Sequence, residues 1–308
     1  MQAVSELSVS VPWGHFRGKV WGPDHGCPVL CLHGWADNCG SFNTLIPLLP
    51  KECRYVTLDL AGHGRSSHRP PGSFYSSLEY VADVRRVADA LHLRRFSLIG
   101  HSMGECRIRT ESFSALYPEM VDAVILLDSY GILPKDTKEI SKVMRQAMDK
   151  MIQFEKKTDA KKKVYTYEAA VQRLLTATPT LSEQSARILL ERGLVQVEGA
   201  HQKTQTVYFI GCFQKNTLCL SLEQSLEMQS RIQAPVLVIL AEEGFNKIFP
   251  EPETFTSAIL RSFRDKNHKV VTVPGDHHIH LNKPEVVATF VSEFLWAKVL
   301  SLSTHHKL

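Results

Sequence analysis

The residues best suited to chemistry form the pentapeptide Gly100-His101-Ser102-Met103-Gly104, which follows the apolar run Phe96-Ser97-Leu98-Ile99. In a G-x-S-x-G sequence the serine lies on a sharp turn between a strand and a helix, where small flanking residues avoid a clash with the neighbouring chain. The turn exposes the serine hydroxyl, and the first backbone N–H groups of the helix can bind a developing oxyanion. The pattern therefore indicates Ser102 as a nucleophile, provided that suitable partners follow in the chain.

The composition is that of an ordinary globular protein. The chain has 308 residues, of which 44% are hydrophobic and 22% are charged, and its net charge is +4. This charge is too small to imply nucleic acid or a strongly acidic partner. The seven cysteines show no C-x-x-C spacing and lie mostly in apolar runs, which is typical of reduced, buried thiols.

Targeting signals are scarce in this sequence. The first twenty residues contain no apolar signal segment, and no run of about eighteen uncharged apolar residues occurs, so we expect no membrane span. The chain ends with His306-Lys307-Leu308, which shares two residues with the peroxisomal address Ser-Lys-Leu. We therefore expect a cytoplasmic location, with the peroxisome as the alternative.

Strands and helices alternate over the first part of the chain. Alternating apolar residues predict an antiparallel hairpin within residues 7–21. Continuous apolar runs, typical of strands buried on both faces, follow at residues 28–32, 54–60, 96–100 and 121–127. Helical patterns at residues 41–49 and 78–91 separate them, which predicts a parallel sheet with helical crossovers.

The alternation stops between Gly131 and Gln233, where the sequence is helical, charged and lysine-rich, with no evident buried strand. It resumes with a strand at residues 235–240, and continues with a helix near 253–263, a strand at 269–273 and a last helix at 284–299. We therefore predict a core formed by residues 1–130 and 234–308. Residues 131–233 are predicted to form a helical cap over the ends of the strands.

Several motifs in the same order resemble the α/β-hydrolase superfamily, and more closely its serine hydrolase-like proteins. They are Val11-Pro12-Trp13-Gly14-His15, residues 28–38 with His33-Gly34-Trp35, Gly62-His63-Gly64, Gly100 to Gly104, and Pro274-Gly275-Asp276-His277 through Val287. The resemblance implies an α/β-hydrolase fold, with a mostly parallel sheet flanked by helices and a helical cap inserted between strands. It adds perinuclear vesicles to the alternative locations.

The resemblance also implies roles for individual residues. Ser102 matches the nucleophile and His277 matches the general base, which a serine needs for activation at neutral pH. The backbone N–H groups of Trp35 and Met103 match the oxyanion hole. No carboxylate or cysteine at ligand spacing accompanies the histidines at 277, 278 and 280, so we predict no metal site. The implied chemistry needs no cofactor.

The acid of the triad is left open by the sequence. The superfamily usually places an aspartate after the strand that begins at Pro235, but the chain reads Ala241-Glu242-Glu243-Gly244 there. Glu242 and Glu243 are two candidates beside the expected position. Asp128, at the end of the preceding strand, is the third, because some related hydrolases use that site.

The segment after the pentapeptide departs from the family pattern of small and apolar residues. Residues 105–113 read Glu-Cys-Arg-Ile-Arg-Thr-Glu-Ser-Phe. Only a narrow stripe of this helix is suited to the core, formed by Cys106, Thr110, Phe113 and Tyr117. Glu105 with Arg109, and Arg107 with Glu111, are spaced to pair on the helix surface. Because a buried unpaired charge costs several kcal/mol, we expect this helix to be shifted outward or remodelled.

Two functions are compatible with these residues. The first is an esterase-like serine hydrolase that cleaves a small or medium acyl ester, thioester or amide through a Ser102 acyl-enzyme, with a small-molecule acyl substrate. The alternative is a catalytically inactive α/β-hydrolase fold that serves as a binding or scaffold protein. The absent aspartate and the charged helix favour the alternative. The sequence predicts neither the physiological substrate nor the oligomeric state.

Overall fold

The computed structural model describes residues 3–73, 75–102, 109–157, 164–196, 206–209, 219–248, 250–266 and 268–302. The strands of these ranges are β1 (Val4–Val11), β2 (Gly14–Trp21), β3 (Cys27–Leu32), β4 (Cys53–Asp59), β5 (Phe96–His101), β6 (Val121–Leu127), β7 (Tyr165–Thr166), β8 (Leu194–Gln196), β9 (Thr206–Phe209), β10 (Val236–Glu243) and β11 (Lys269–Asp276). The α-helices are α1 (Ser77–Ala90), α2 (Arg109–Leu116), α3 (Ile140–Lys157), α4 (Tyr167–Ala177), α5 (Glu183–Gly193), α6 (Leu222–Ser230), α7 (Phe245–Ile248), α8 (Glu253–Asp265), α9 (Ile279–Asn282) and α10 (Glu285–Leu295).

Eight strands form the main sheet in the order β1-β2-β4-β3-β5-β6-β10-β11. β1 and β2 form the predicted antiparallel hairpin, and β2 pairs antiparallel with β4. From β4 to β11 all neighbours are parallel. The continuous apolar runs thus form the buried parallel strands, as expected when helices cover both faces of a sheet. The predicted mostly parallel sheet flanked by helices is confirmed.

The hydrophobic core has two parts, one on each face of this sheet. Successive side chains of a strand point to opposite faces, so Leu98 belongs to one part and its neighbour Ile99 to the other. Helices α1 and α8 cover the first part with residues such as Val84 and Phe263. Helix α10 covers the second part, with Val291 fully buried. The helices packed on both faces of the sheet thereby hold the strands, and with them the residues at the strand ends, in place.

The helix predicted at residues 41–49 is wrong. Two short 3-10 turns, Cys39–Phe42 and Ile46–Leu48, occupy this segment. Pro47 lies inside the second turn, and a proline there cannot donate the backbone hydrogen bond of a continuing α-helix. The Asn38 side chain accepts a hydrogen bond from the Gly40 backbone N–H at 3.0 Å and so begins the first turn.

The long insertion lies between β6 and β10, which are neighbours in the main sheet. It contains helices, as expected, and also a three-stranded antiparallel sheet of order β7-β9-β8. These strands could not be predicted from the sequence, because they span two to four residues, too few for a periodic pattern. The cap boundaries at 131 and 233 stay predictions.

A buried ion pair joins this insertion to the core. Arg192, in the last turn of α5, is only 2% exposed, and its Nε donates to Oδ2 of fully buried Asp59 at 2.9 Å. Its Nη1 donates to Oε1 of Glu6 at 2.8 Å. A second tether lies nearby, because Asn38 Nδ2 donates to the Leu189 carbonyl oxygen at 2.7 Å. Helix α5 is therefore held against the loop after β3 and the end of β4.

A helix that crosses a bilayer must be long and predominantly apolar. Within the described residues, no helix is both long enough and apolar enough to cross a membrane.

We expect Arg192→Met to destabilise the protein, because it leaves the Asp59 carboxylate buried without its cation. Breaking a buried pair from one side costs about 3–5 kcal/mol. Arg187 on the same helix pairs with Glu168 and Glu183 at the surface, so Arg187→Met is the matched control and should cost less than about 1 kcal/mol. Urea unfolding measures both variants. Equal losses would contradict a special role for the buried pair.

Candidate active site

Ser102 lies directly after β5, on the sharp turn that the sequence predicted. Its φ of 48° is in the left-handed region, which a residue with a side chain adopts only under constraint. The Ser102 backbone N–H donates to the Leu127 carbonyl oxygen at 3.0 Å, which fixes the turn against β6. At Gly100 a Cβ would lie 2.3 Å from Thr110 Oγ1, so this glycine permits close packing of α2. Met103, the predicted oxyanion donor, lies outside the described residues, as do residues 104–108.

His277 is the first residue after β11 and contacts Ser102. Its Nε2 is 2.6 Å from Ser102 Oγ, and its Nδ1 is 2.6 Å from Asp128 Oδ2. The three side chains are buried. Since a carboxylate only accepts, Nδ1 carries the proton and Nε2 can accept the serine hydroxyl proton. The structure thus joins the predicted nucleophile, the predicted base and one candidate acid in a single hydrogen-bonded chain.

Asp128 directly follows β6 and also has a left-handed backbone, with φ 46°. Its Oδ1 accepts the Ala241 backbone N–H at 2.9 Å, and its Oδ2 accepts that of Phe245 at 2.7 Å. A Cβ at Gly244 would lie 2.3 Å from Oδ2. The carboxylate of Asp128 therefore occupies the space beside Gly244, which explains why glycine stands where the superfamily usually has aspartate.

The other two candidate acids lie at the surface. Glu242 and Glu243 end β10, and both are exposed. Glu243 accepts a hydrogen bond from Lys247 Nζ at 3.1 Å. Of the three candidates, Asp128 is the one that contacts His277.

Trp35 lies on the loop after β3, and its side chain is 55% exposed. His33 anchors this loop, because its Nε2 accepts the Leu60 backbone N–H at 3.0 Å. At Gly34 a Cβ would lie 2.9 Å from Nδ1 of His101, the residue before Ser102. The loop therefore passes directly beside the turn that carries Ser102.

A layer of polar side chains lies behind His277. His101 Nε2 is 2.8 Å from the His277 carbonyl oxygen, and burial lowers the pKa of His101 to about 4. Asp37, on the loop after β3, is buried among these histidines. The ring of His280 packs against that of His101 at a tilt of 40°, and its Nε2 is 2.7 Å from Ser41 Oγ. Sequence reasoning missed His101, although it stands inside the G-x-S-x-G motif.

Helix α2 differs from its predicted surface pairing. Thr110 and Phe113 are buried, as the apolar stripe predicted, but Glu111 is also only 1% exposed. Its Oε2 accepts the Ile132 backbone N–H at 2.6 Å, and burial raises the pKa of Glu111 to about 8. A Cβ at Gly131 would overlap this carboxyl group, and the φ of Gly131 is 84°. Glu111 is therefore a buried acid bonded to the backbone, and not one half of an ion pair on the helix surface. The helix is remodelled around it. Glu105, Cys106 and Arg107 lie outside the described residues.

Comparison with known proteins identifies the class. Residues 28–284 match the family model of the alpha/beta hydrolase fold. This match covers more than half of the chain, and the protein belongs to the α/β-hydrolase-fold family.

Individual relatives refine the comparison. The chain is 49% identical over 295 residues to a serine hydrolase-like protein of Danio rerio, covering 96% of this chain and 89% of that protein. It is 37% identical over 300 residues to serine hydrolase-like protein 2 of Homo sapiens, covering 95% and 94%. A solved structure of a hypothetical protein from Pseudomonas aeruginosa superposes with a TM-score of 0.80 at 30% identity, covering 95% and 98%. The predicted resemblance to serine hydrolase-like proteins is confirmed.

Glu111 makes the stability of the fold depend on pH. Between its ordinary pKa of 4.5 and about 8, the unfolded chain loses a proton that the folded chain keeps. The free energy of unfolding therefore falls as pH rises, by about 1.4 kcal/mol per pH unit from this group. Glu111→Gln keeps the acceptor for Ile132 but does not titrate. We expect its melting temperature to exceed that of the wild type by a margin that grows from pH 5 to pH 8.

The control for this prediction is Glu243→Gln, which neutralises an exposed acid. Its melting temperature should follow that of the wild type across the same pH range. A margin for Glu111→Gln that stays constant with pH would show that Glu111 is ionised in the folded protein.

Proposed function

We propose that the protein is a serine hydrolase that cleaves a small or medium acyl ester, thioester or amide. The observation that supports this proposal is the hydrogen-bonded chain from Ser102 Oγ through His277 to Asp128, with both contacts at 2.6 Å. Each of the three residues follows a different strand of the parallel sheet. They lie at the carboxyl ends of the strands, where α/β proteins bind their ligands. Membership of the α/β-hydrolase-fold family agrees with this function.

In the proposed mechanism, His277 Nε2 takes the proton of Ser102 Oγ as the oxygen attacks the acyl carbonyl carbon. Asp128 stays ionised and stabilises the imidazolium that forms. The imidazolium then gives its proton to the leaving group, which departs and leaves Ser102 acylated. In the second half, His277 activates a water molecule that hydrolyses the acyl-enzyme and restores the serine.

The negative charge on the carbonyl oxygen needs donors at the mouth of the site. We assign this role to the backbone N–H groups of Trp35 and Met103, on the two segments that flank Ser102. Preorganised donors of this kind contribute about 3–4 kcal/mol each to catalysis. The packing of Gly34 against His101 supports the Trp35 assignment, because it brings this loop beside the nucleophile turn.

The substrate is proposed to be a small-molecule acyl compound. The insertion between β6 and β10 would contribute one wall of the acyl pocket, because α5 is held against the loop after β3 through Arg192 and Asn38. The cytoplasmic location stays a prediction.

The alternative is an inactive fold that serves as a binding or scaffold protein. The departure of residues 105–113 from the family pattern favours it, because Glu111 places an acid in the core behind the turn that carries Ser102. The two functions differ in one property, which is the reactivity of Ser102.

Labelling by a fluorophosphonate probe tests this reactivity. We expect the wild type to be labelled rapidly, because only an activated serine attacks the probe quickly, and we expect Ser102→Ala to lose labelling and the turnover of p-nitrophenyl acetate. Ser97→Ala, which removes another buried hydroxyl from β5, is the control and should keep both. Circular dichroism verifies folding. A folded wild type without labelling would favour the scaffold function.

The acid is tested by comparing Asp128→Asn with Glu242→Gln and Glu243→Gln. Asp128→Asn keeps the size of the side chain but removes the charge that stabilises the imidazolium, so kcat should fall by about 10⁴ with KM little changed. The two surface variants should retain nearly full activity. A large loss of kcat for Glu242→Gln or Glu243→Gln, with Asp128→Asn active, would move the acid to β10.

A further inference from the structure

Three buried side chains behind the proposed triad face one another without being part of it. Asp37 is 6% exposed, His101 is 1% exposed and His278 is 5% exposed. Asp37 Oδ2 lies 3.4 Å from His101 Nδ1, and Asp37 Oδ1 lies 3.4 Å from His278 Nε2. One ligand atom from each of the three residues can be chosen so that all lie within 4.8 Å of one another.

The hydrogen bond of His101 determines which of its nitrogens holds a proton. Its Nε2 contacts the His277 carbonyl oxygen at 2.8 Å, and a carbonyl only accepts, so Nε2 carries the hydrogen. In the neutral ring, Nδ1 then has no hydrogen and carries a lone pair. This lone pair faces Asp37 Oδ2, and both atoms are buried without a hydrogen-bond partner. Two buried acceptors in this arrangement leave an unmet need for a cation or a donor.

His278 has a related arrangement. Its Nδ1 lies 3.5 Å from Thr180 Oγ1, which can accept the ring N–H, and its Nε2 then directs a lone pair toward Asp37. Metal-binding histidines usually donate their other ring N–H to a backbone carbonyl or another polar group. Both histidines of this cluster have such a partner on the nitrogen that faces away from Asp37.

We propose that Asp37, His101 and His278 form a binding site for one divalent transition-metal ion of the zinc class. Zinc bonds imidazole nitrogen and carboxylate oxygen at about 2.0–2.2 Å, so neighbouring ligands of a tetrahedral ion lie about 3.4 Å apart. Each histidine nitrogen lies at this distance from one carboxylate oxygen of Asp37, His101 Nδ1 from Oδ2 and His278 Nε2 from Oδ1. Three protein ligands leave the fourth position for water.

Gly34 leaves space beside the proposed ligands. A Cβ at this position would lie 2.9 Å from His101 Nδ1 and 3.0 Å from Asp37 Oδ2. A side chain there would therefore crowd the two atoms that lack hydrogen-bond partners. The absence of a Cβ at Gly34 therefore leaves these two atoms uncrowded.

The simpler occupant of the cluster is a proton on His278. An imidazolium at His278 would donate to Asp37 Oδ1 and form an ordinary ion pair. It would leave His101 Nδ1 and Asp37 Oδ2 facing each other without a donor, which is why the geometry favours an ion that contacts all three residues.

The test is titration of the purified full chain, freed of metal by chelation, with Zn²⁺ in a calorimeter and with Co²⁺ in a spectrophotometer. We expect one Zn²⁺ per chain, and the visible absorption bands of tetrahedral Co²⁺ at the same stoichiometry. Asp37→Asn and His278→Gln should each weaken Zn²⁺ binding about 100-fold or more, since even the loss of an outer partner costs 10–100-fold. His25→Gln, which removes an exposed imidazole, should bind as the wild type does.

Neither measurement depends on hydrolysis, so the metal site and the proposed function can fail separately. Zn²⁺ binding that is undetectable below about 1 mM would overturn the site and leave the proton as the occupant of the cluster. Zn²⁺ binding that is unchanged in both Asp37→Asn and His278→Gln would mean that other histidines bind the ion. That result would also overturn the proposed site. If Asp37→Asn does not fold by circular dichroism, His278→Gln decides the outcome.

Discussion

The carboxylate of Asp128 is the group on which the geometry of the site depends. It is buried, and an ionised carboxylate without partners in the interior would cost several kcal/mol. The backbone N–H of Ala241 near the end of β10, that of Phe245 at the start of α7, and the imidazole of His277 after β11 supply its donors. One side chain thereby ties the ends of three neighbouring strands together. The loop after β10 is constrained most, because Gly244 is the residue that leaves room for this carboxylate.

This arrangement explains why the sheet could be predicted from the sequence and the carboxylate that contacts His277 could not. A strand buried on both faces has a continuous apolar sequence, and a strand buried on one face has an alternating one. Both patterns can be recognised within a single segment of the chain. Ser102 and His277 were predicted through motifs that surround them. The choice of Asp128 over Glu242 and Glu243 depends on which strand lies beside β10, and this order is a property of the assembled sheet.

Buried titratable residues were the main features that the sequence did not predict. Glu111 has the spacing of a surface helix pair, but the backbone N–H of Ile132 and the space at Gly131 receive its carboxyl group. Arg192 and Asp59 are 133 positions apart, so no local pattern relates them. Asp37, His101 and His278 likewise come from three separate segments. Contacts of this kind follow from tertiary packing, which periodicity within one segment does not encode.

The position of the insertion has a consequence for how the protein matures on the ribosome. Ser102 and His277 are 175 positions apart, and the insertion is synthesised between them. A nascent chain that ends before β10 already contains the serine and Asp128, but it lacks the imidazole and the backbone donors that hold the carboxylate. Parallel strands so distant in sequence pair late, because the closure of a long loop costs entropy before any contact forms. Incomplete chains and fragments cut within the insertion would therefore carry the proposed nucleophile without the imidazole that contacts it in the complete chain.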